Sequence, residues 1–326
     1  MAFYPYKNFT QKKREAMLNY KVMLHKPKLF ARIFGLKLDK FLVLVERIMV
    51  LWDQKELLRL NNKKRMRAVG GGRKYKLERI EEKVLLILIF YRHNVTHEML
   101  GAIFGLDASN VTRLINKMLP IFEQAADPLL KTYLQQAKEY SEKVSTPVEF
   151  FSKYPDLKTL IVDATEQRQN RPKDEVKRKN AYSGKKKIFA NKTQIIVNKK
   201  TRILDVSNNY PGSVHDKKIF DLEKTVEKIP SQSILLGDLG YLGVPKEHSS
   251  RKVLLPNKKA KGQKELPTEQ RRFNKEHSGK RIVVEHAIGK MKIFRVCSGV
   301  YRGKEEKYNQ TIRNIAALVN LNYCST

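Results

Sequence analysis

Three acidic residues, far apart in the chain, stand where carboxylates could act together: Asp163, Asp238 and Glu285. Asp163 follows the apolar run LKTLIV, which reads as a strand ending at the aspartate. Asp238 closes a second apolar run, SQSILLG, and is followed by Gly240 and Gly243. Carboxylates at the carboxyl ends of strands point into the crevice where α/β sheets place their sites. Glu285 lies in RIVVEHAIGKMKIF, apolar at Ile282, Val283, Ile288, Met291 and Ile293, which predicts a helix packed on that sheet and aiming one acid at the strand ends. Three converging carboxylates repel one another unless a cation joins them. Phosphodiester transfer calls for such a set, because it needs a deprotonated water or sugar hydroxyl and charge compensation on a pentacovalent phosphate. Two Mg²⁺ ions ~3.5–4 Å apart supply both, with Mn²⁺ as the expected substitute. Mg²⁺ prefers hard oxygen ligands and keeps several waters, so a few carboxylates suffice. Taken singly, Asp163 and Asp238 read as readily as turn formers or helix caps, and Glu285 as a solvated helix residue; spacing alone does not decide between these readings.

The elements that must hold these acids change character along the chain. Beyond about residue 150, short runs rich in Ile, Val and Leu predict strands at 157–165, 192–200, 201–209, 231–240 and 251–259, with NKKT at 198–201 as a hairpin turn. Helices are expected near 215–229, 267–278, 281–296 and 305–322, giving a mixed α/β sheet with helices packed on it. The N-terminal part reads differently. Residues 1–40 are basic and irregular, with Pro5 and Pro27, and 40–60 have helical periodicity. NNKKRMRAVGGGRKYK, with Gly70, Gly71 and Gly72, reads as a loop or hinge, and 77–94 as a buried helix. A short helix is expected at 96–105, a turn at 106–110, and a second helix at 111–122, capped by Ser109 and ended by Pro120. Val111, Leu114, Ile115 and Met118 form one buried stripe of that helix. Asn110, Arg113 and Lys117 share another face, with Asn116 beside them. Two short helices with a glycine at the corner, the second polar and basic, match a helix-turn-helix; an ordinary helical hairpin is the alternative. The expected division is a basic N-terminal helical region at 1–76, an all-α helix-turn-helix domain at 77–150 and the sheet domain at 151–326.

Charge narrows the partners. The 326 residues carry 66 Lys and Arg against 33 Asp and Glu, a formal net charge of +33, which favours a polyanion such as nucleic acid over a membrane surface. A merely Lys-rich composition is the alternative. No run approaches the ~20 apolar residues that span a bilayer, and the N-terminus MAFYPYKNFTQKK lacks a signal-peptide core. Cys297 and Cys324 offer neither a disulfide framework nor a zinc cluster, and Cys297 reads as a core thiol. A soluble intracellular protein is expected, in the cytoplasm with the bacterial nucleoid or, for a eukaryotic chain, in the nucleus.

Read together, VDATEQ, AYSGKKK, NNYPGSVHDKKIF, LLGDLGYLG and RRFNKEHSGKRIVVEHAIGKMK resemble ordered blocks of DDE transposases of the bacterial insertion sequence 5 group and the eukaryotic PIF/Harbinger superfamily, over residues 75–322. The resemblance implies an RNase H-like catalytic domain after a helix-turn-helix, with Asp163, Asp238 and Glu285 as its metal-binding triad. It also implies that Arg281 and Lys292, four residues before Glu285 and seven after it, hold phosphates near the metals; surface charge is the other reading. Where the insertion-sequence relatives carry the tyrosine of a Tyr-Arg-Glu signature, this chain has Ser278. His215 and Asp216 match a Ser-Val-His-Asp block and would support the metal ligands or position DNA, unless Asp216 simply caps a helix. The segment 168–187, with nine basic and two acidic residues, includes Lys185, Lys186 and Lys187 and would clamp the DNA backbone; the basic loop 251–272 is a second such contact. Lysines of this kind position a duplex without reading it. Reading would fall to Asn110, Arg113, Asn116 and Lys117 if their helix enters a major groove.

The function so implied is that of a transposase, which binds the terminal inverted repeats of a mobile element and performs metal-dependent strand cleavage and strand transfer. Its partner is double-stranded DNA, both element ends and target, and pairing two ends calls for a homodimer or larger assembly. No Walker motif is present, so no nucleotide cofactor is expected. Two other readings stay open: a non-catalytic DNA-binding protein derived from a transposase, and a metal-dependent nuclease without strand transfer.

Overall fold

A computed structural model describes residues 20–61 and 75–324 of the chain, which divides into two compact units, 1–121 and 122–326. The glycine-rich break with Gly70, Gly71 and Gly72 lies outside the described residues.

The first unit is helical. Residues expected to be irregular form α1 (Tyr20–Leu24) and α2 (Pro27–Phe34). Pro27 does not disrupt α2 because it sits in the first turn, where its missing N–H has no intrahelical partner to lose. Phe30 and Phe34 of α2 are fully buried, and Phe30 packs against Phe41 of α3 (Leu38–Asn61) with ring centroids 5.0 Å apart. Helix α4 (Ile80–His93) buries six consecutive residues from Val84 to Ile89, so it runs through the middle of the unit. The side chain of Thr96 caps α5 (His97–Phe104) by accepting from the Met99 N–H at 3.3 Å, and Gly105 ends it in the left-handed region with φ 67°. The corner that follows is tight: a Cβ on Gly101 would lie 2.5 Å from the Leu106 carbonyl oxygen.

The next helix departs from expectation at both ends. Helix α6 (Ala108–Ser141) begins before Ser109, so Ser109 is inside the helix, and the Asp107 carbonyl accepts from the Asn110 and Val111 N–H groups. It also runs through Pro120. Met118, Leu119, Ile121, Phe122 and Ala125 are buried on both sides of the exposed proline, and their burial outweighs the ~3 kcal/mol that an interior proline costs a helix.

The second unit is a mixed sheet with flanking helices, the RNase H-like class. After α7 (Pro147–Lys153) comes β1 (Thr159–Arg168), and after α8 (Glu175–Ala181) come β2 (Tyr182–Ser183), β3 (Ile188–Asn198), β4 (Ile203–Val206) and β5 (Tyr210–Pro211). The expected hairpin joins β3 to β4, with the Thr201 N–H donating to the Asn198 carbonyl at 3.1 Å. Helices α9 (Asp216–Leu222) and α10 (Thr225–Lys228) lead to β6 (Ile234–Leu236), and α11 (Val244–Glu247) to β7 (Val253–Leu254). The order is β2-β3-β1-β6-β7, with β4 and β5 also on the outer side of β3; β1 runs antiparallel to β3 and parallel to β6, and β6 parallel to β7. Helix α12 (Thr268–Lys292) is continuous through Gly279 where two helices were expected; α13 (Arg295–Ser298) and α14 (Tyr308–Tyr323) follow.

One face of the sheet buries Leu160, Val162, Ile196 and Leu204 against Phe220, Tyr241 and Val244. Residues 122–150, grouped with the helix-turn-helix on sequence, send Leu134, Ala137 and Phe150 into this same cluster. Helix α12 packs on β1 and β3, and α14 on β4. There the buried Asn320 side chain treats β4 as a neighbouring strand would: it accepts from the Ile203 N–H at 2.9 Å and donates to the Ile203 carbonyl at 2.7 Å. Among the described residues no helix is long and apolar enough to cross a membrane.

Candidate active site

The site arises from unequal strand lengths. Strand β1 pairs with β3 from Leu160 to Arg168, but with β6 only from Thr159 to Ile161. Asp163 therefore does not end its strand, as its sequence suggested; it lies inside β1, just past the point where β6 stops. The chain leaves β6 through Gly237 to Asp238, whose Oδ1 accepts from the Gly240 N–H at 2.8 Å and caps the short turn Leu239–Tyr241. Asp163 Oδ1 accepts from the Ala164 N–H at 2.8 Å, leaving Oδ2 outward.

A third carboxylate joins them. Asp216, the first residue of α9, faces the Asp238 turn: a Cβ on Gly240 would lie 2.7 Å from Asp216 Oδ2 and 2.9 Å from Asp238 Oδ1. Both acids thus border a gap that only glycine leaves open. Asp216 is not a simple helix cap, since the preceding His215 holds the cap position; the His215 side chain makes no capping hydrogen bond and is exposed. Asp216 is held by Lys192 of β3, whose buried Nζ lies 3.2 Å from Asp216 Oδ1 and 3.5 Å from Glu166 Oε1 and donates to the Val214 carbonyl at 2.9 Å. Neither Lys192 nor Glu166 stands out in the sequence; their partnership emerges only once they pair directly across β1 and β3.

The electrostatics follow from this crowding. Burial pushes the Asp163 carboxyl up to about 6; Arg281 and the Ala164 N–H oppose the shift, and Asp238 and Asp216 add to it. Beneath the group, burial and then Asp216, Asp163 and Asp238 raise the Tyr241 hydroxyl well above its ordinary range. Arg281 Nη2 lies 3.5 Å from Asp163 Oδ2. Lys292, three turns further along α12, is half-buried. Burial and then Lys186 lower its pKa, while Cys297, Asp163 and Glu166 raise it. Lys186 lies close enough to Lys292 to act on its charge, and Lys185 and Lys187 are exposed beside it in the turn between β2 and β3.

Glu285 is different. It lies one turn after Arg281 on the exposed side of α12, where Val284, Ala287, Ile288 and Met291 take the buried positions. Among the described residues, neither Asp163, Asp238 and Glu285 nor Asp163, Asp216 and Asp238 form a group whose ligand atoms all lie within 4.8 Å of one another; Asp221, Glu247 and His248 do. That second cluster is already partly neutralised, because Lys217 Nζ lies 2.7 Å from Asp221 Oδ2 and 2.6 Å from Glu247 Oε2. Asp163, Asp238 and Asp216 offer only oxygen donors, the kind a hard divalent ion prefers, and Asp216 and Asp238 border the cradle that a Cβ on Gly240 would fill.

In the first unit, the four residues expected to read bases divide. Arg113 and Asn116 are exposed and Asn110 and Lys117 are partly buried; Asn110, Arg113 and Lys117 line a cleft of about 700 Å³ together with Trp52, Tyr75 and Leu106. Lys117 turns away from solvent. Its Nζ sits 4.1 Å from the Trp52 ring centroid, donates to the Tyr75 hydroxyl at 3.1 Å and pairs with Glu56. Burial opposes ionisation of Glu56, but Lys117 and Arg59 outweigh it and hold the carboxyl below its ordinary value. Sequence periodicity gave Lys117 the same face as Arg113 and carried no sign that α3 supplies a cage for it.

Residues 162–320 match the model of the DDE superfamily endonuclease, and residues 75–128 that of the helix-turn-helix of DDE superfamily endonuclease. Over 250 residues the chain is 31% identical to the probable transposase for insertion sequence element IS702 of Microchaete diplosiphon, covering 76% of this chain and 82% of that protein. A transposase candidate of insertion sequence element IS112 from Streptomyces albus G is 24% identical over 255 residues, covering 78% and 84%. A chain from the crystal structure of the Mos1 strand transfer complex aligns at 10% identity with a TM-score of 0.21, over 83% of this chain and 86% of that one. With a sheet domain and a helix-turn-helix that both match, and a relative of this identity covered over most of its length, the chain belongs to the DDE superfamily of endonucleases, among the transposases of insertion sequence elements.

Proposed function

We propose that this chain is a transposase of the insertion sequence 5 and PIF/Harbinger kind, which binds the terminal inverted repeats of its element and catalyses metal-dependent cleavage and strand transfer of DNA. The observation that carries the reading is the convergence of Asp163, Asp238 and Asp216 where β1 outruns β6. Asp163 and Asp238 would hold Mg²⁺ or Mn²⁺, two ions in the full site, with Glu285 contributing from α12. When bound, the ions supply a nucleophile at neutral pH and neutralise charge on the phosphate.

The side chains divide the remaining work. Lys192 fixes Asp216 against the Asp238 turn. Lys292 and Lys186 form a cationic rim that would take phosphate oxygens, and Arg281 adds a planar guanidinium suited to bidentate contact. Arg113 and Asn116 project from α6 for base contacts, and the excess of Lys and Arg over acidic residues supports attraction to the backbone. Pairing two element ends calls for a homodimer or larger assembly on DNA. The chain would act wherever the element's DNA resides, the nucleoid in a bacterium or the nucleus in a eukaryote.

A strand-transfer assay with Mg²⁺ or Mn²⁺ and terminal-repeat DNA tests the reading. Asp163→Asn is expected to abolish cleavage and joining while leaving binding of the ends nearly unchanged. Loss of end binding in that variant would assign Asp163 a structural role. Cleavage without joining in the native chain would leave a nuclease, and binding alone a DNA-binding relative.

A further inference from the structure

We propose that Arg281 is the resident counter-cation of Asp163, seated at the one carboxylate oxygen that a divalent ion needs, so that metal entry and release of Arg281 toward phosphate are a single exchange. The inference rests on the metal-binding reading of Asp163. It assigns Arg281 a role in the metal-free protein that phosphate binding alone does not require.

The two oxygens of Asp163 are unequal. Oδ1 is engaged by the Ala164 N–H at 2.8 Å, a contact internal to β1 that does not depend on any ligand. Oδ2 is the oxygen more open to a cation, and Arg281 Nη2 lies 3.5 Å from it. Both side chains are largely buried, with relative exposures of 16% for Arg281 and 19% for Asp163. A charge this far from water needs a partner, and Asp163 also sits beside two other carboxylates. Removing every cation from the group would therefore be unfavourable, and Arg281 meets that need while no metal is bound.

Two cations cannot share Oδ2 at contact distance without strong mutual repulsion in a site of low polarity. A divalent ion brings twice the charge of Arg281 and shorter contacts, so it displaces the guanidinium. Arg281 has reason to leave, since its Nε is buried without a hydrogen-bond partner among the described residues. A phosphate beside the carboxylates would satisfy the guanidinium more fully than a single 3.5 Å contact does. Because α12 is a continuous helix here, the exchange needs only the long arginine side chain to swing, with its backbone fixed.

Mn²⁺ binding to DNA-free protein at pH 8, followed by electron paramagnetic resonance, tests the exchange without reading catalysis. Arg281→Met is expected to bind Mn²⁺ roughly tenfold more tightly than the native chain. Arg281→Lys, which keeps the charge, should bind like the native chain. Thermal melting supplies the second arm: Arg281→Met should melt lower than the native chain without metal and recover with Mn²⁺. Equal or weaker Mn²⁺ binding by folded Arg281→Met would overturn the exchange. Asp163→Asn separates the two proposals. If it leaves Mn²⁺ binding intact, the ion is not at Asp163 and the site reading fails first; if it removes binding but Arg281→Met changes nothing, only the exchange fails.

Discussion

Lys117 and Trp52 are packed against each other, the ammonium 4.1 Å from the indole centroid, and this joins the second helix of the helix-turn-helix to α3. Lys83 shares the arrangement: buried, 5.0 Å from the same ring, it donates to the Glu78 carbonyl at 2.8 Å. Sequence periodicity placed Lys117 with the base-reading residues, and the fold makes it a strut.

Lys117→Met should consequently act on stability. Loss of the Glu56 ion pair and of a partly desolvated cation–π contact is expected to cost about 1–2 kcal/mol. Terminal-repeat binding by the folded variant should change less than about threefold. Arg113→Ala, at an exposed position of the same helix, should weaken specific binding about tenfold or more with little effect on melting. Melting curves and fluorescence anisotropy, run on both variants, check the division; a reversed pattern would return Lys117 to the reading face.

Gly240 offers a test of the carboxylate group that leaves every charge in place. Its added Cβ would collide with oxygens of Asp216 and Asp238, at 2.7 and 2.9 Å, and must push them apart. Gly240→Ala is expected to weaken Mn²⁺ binding and strand cleavage by at least about tenfold, since metal sites tolerate only small displacements of their ligands. Titration calorimetry with Mn²⁺ measures this; unchanged affinity in a folded variant would mean that the Asp216–Asp238 gap is not part of the ion's site.

The raised pKa of Asp163 sets a pH dependence. Its folded value of about 6 exceeds the ordinary 3.8, so the folded protein holds this proton more tightly than the unfolded chain does. The resulting stabilisation is fully present below about pH 4 and disappears as pH rises through about 6; its upper size is about 3 kcal/mol. Metal-free native protein should thus lose stability relative to Asp163→Asn between pH 4 and 7. Mn²⁺ affinity should move oppositely, falling as pH drops below about 6 because the ion requires the ionised carboxyl. Urea melts and Mn²⁺ titrations across this range give both curves, and a flat difference between native and variant stabilities would remove the buried-acid argument.

Much of the second unit is written locally. LKTLIVD and SILLGD carry their burial and their acids in consecutive residues, so these two strands and the placing of Asp163 and Asp238 near their carboxyl ends can be read without coordinates. What sequence misses depends on partners remote along the chain. The length of β1 beyond Asp163 comes from its antiparallel pairing with β3, which local apolarity does not report. Asp216 looks like a helix-start acid until the Asp238 turn is placed beside it. Pro120 reads as a stop, and only the burial of Ile121 and Phe122 reverses that reading. The exposed position of Glu285 follows from helical phase once Val284 and Ala287 are known to face the sheet.

The bond between Asn320 and Ile203 has a consequence for how the second unit is made. The two residues are 117 positions apart, yet one amide satisfies both outward-facing backbone groups of Ile203. While a chain is being synthesised, β4 emerges long before α14, and through that interval its outer rim can accept any extended segment it meets. Arrival of the last helix closes that opportunity, so the newly made unit passes through a stage vulnerable to mispairing that the finished one has left behind.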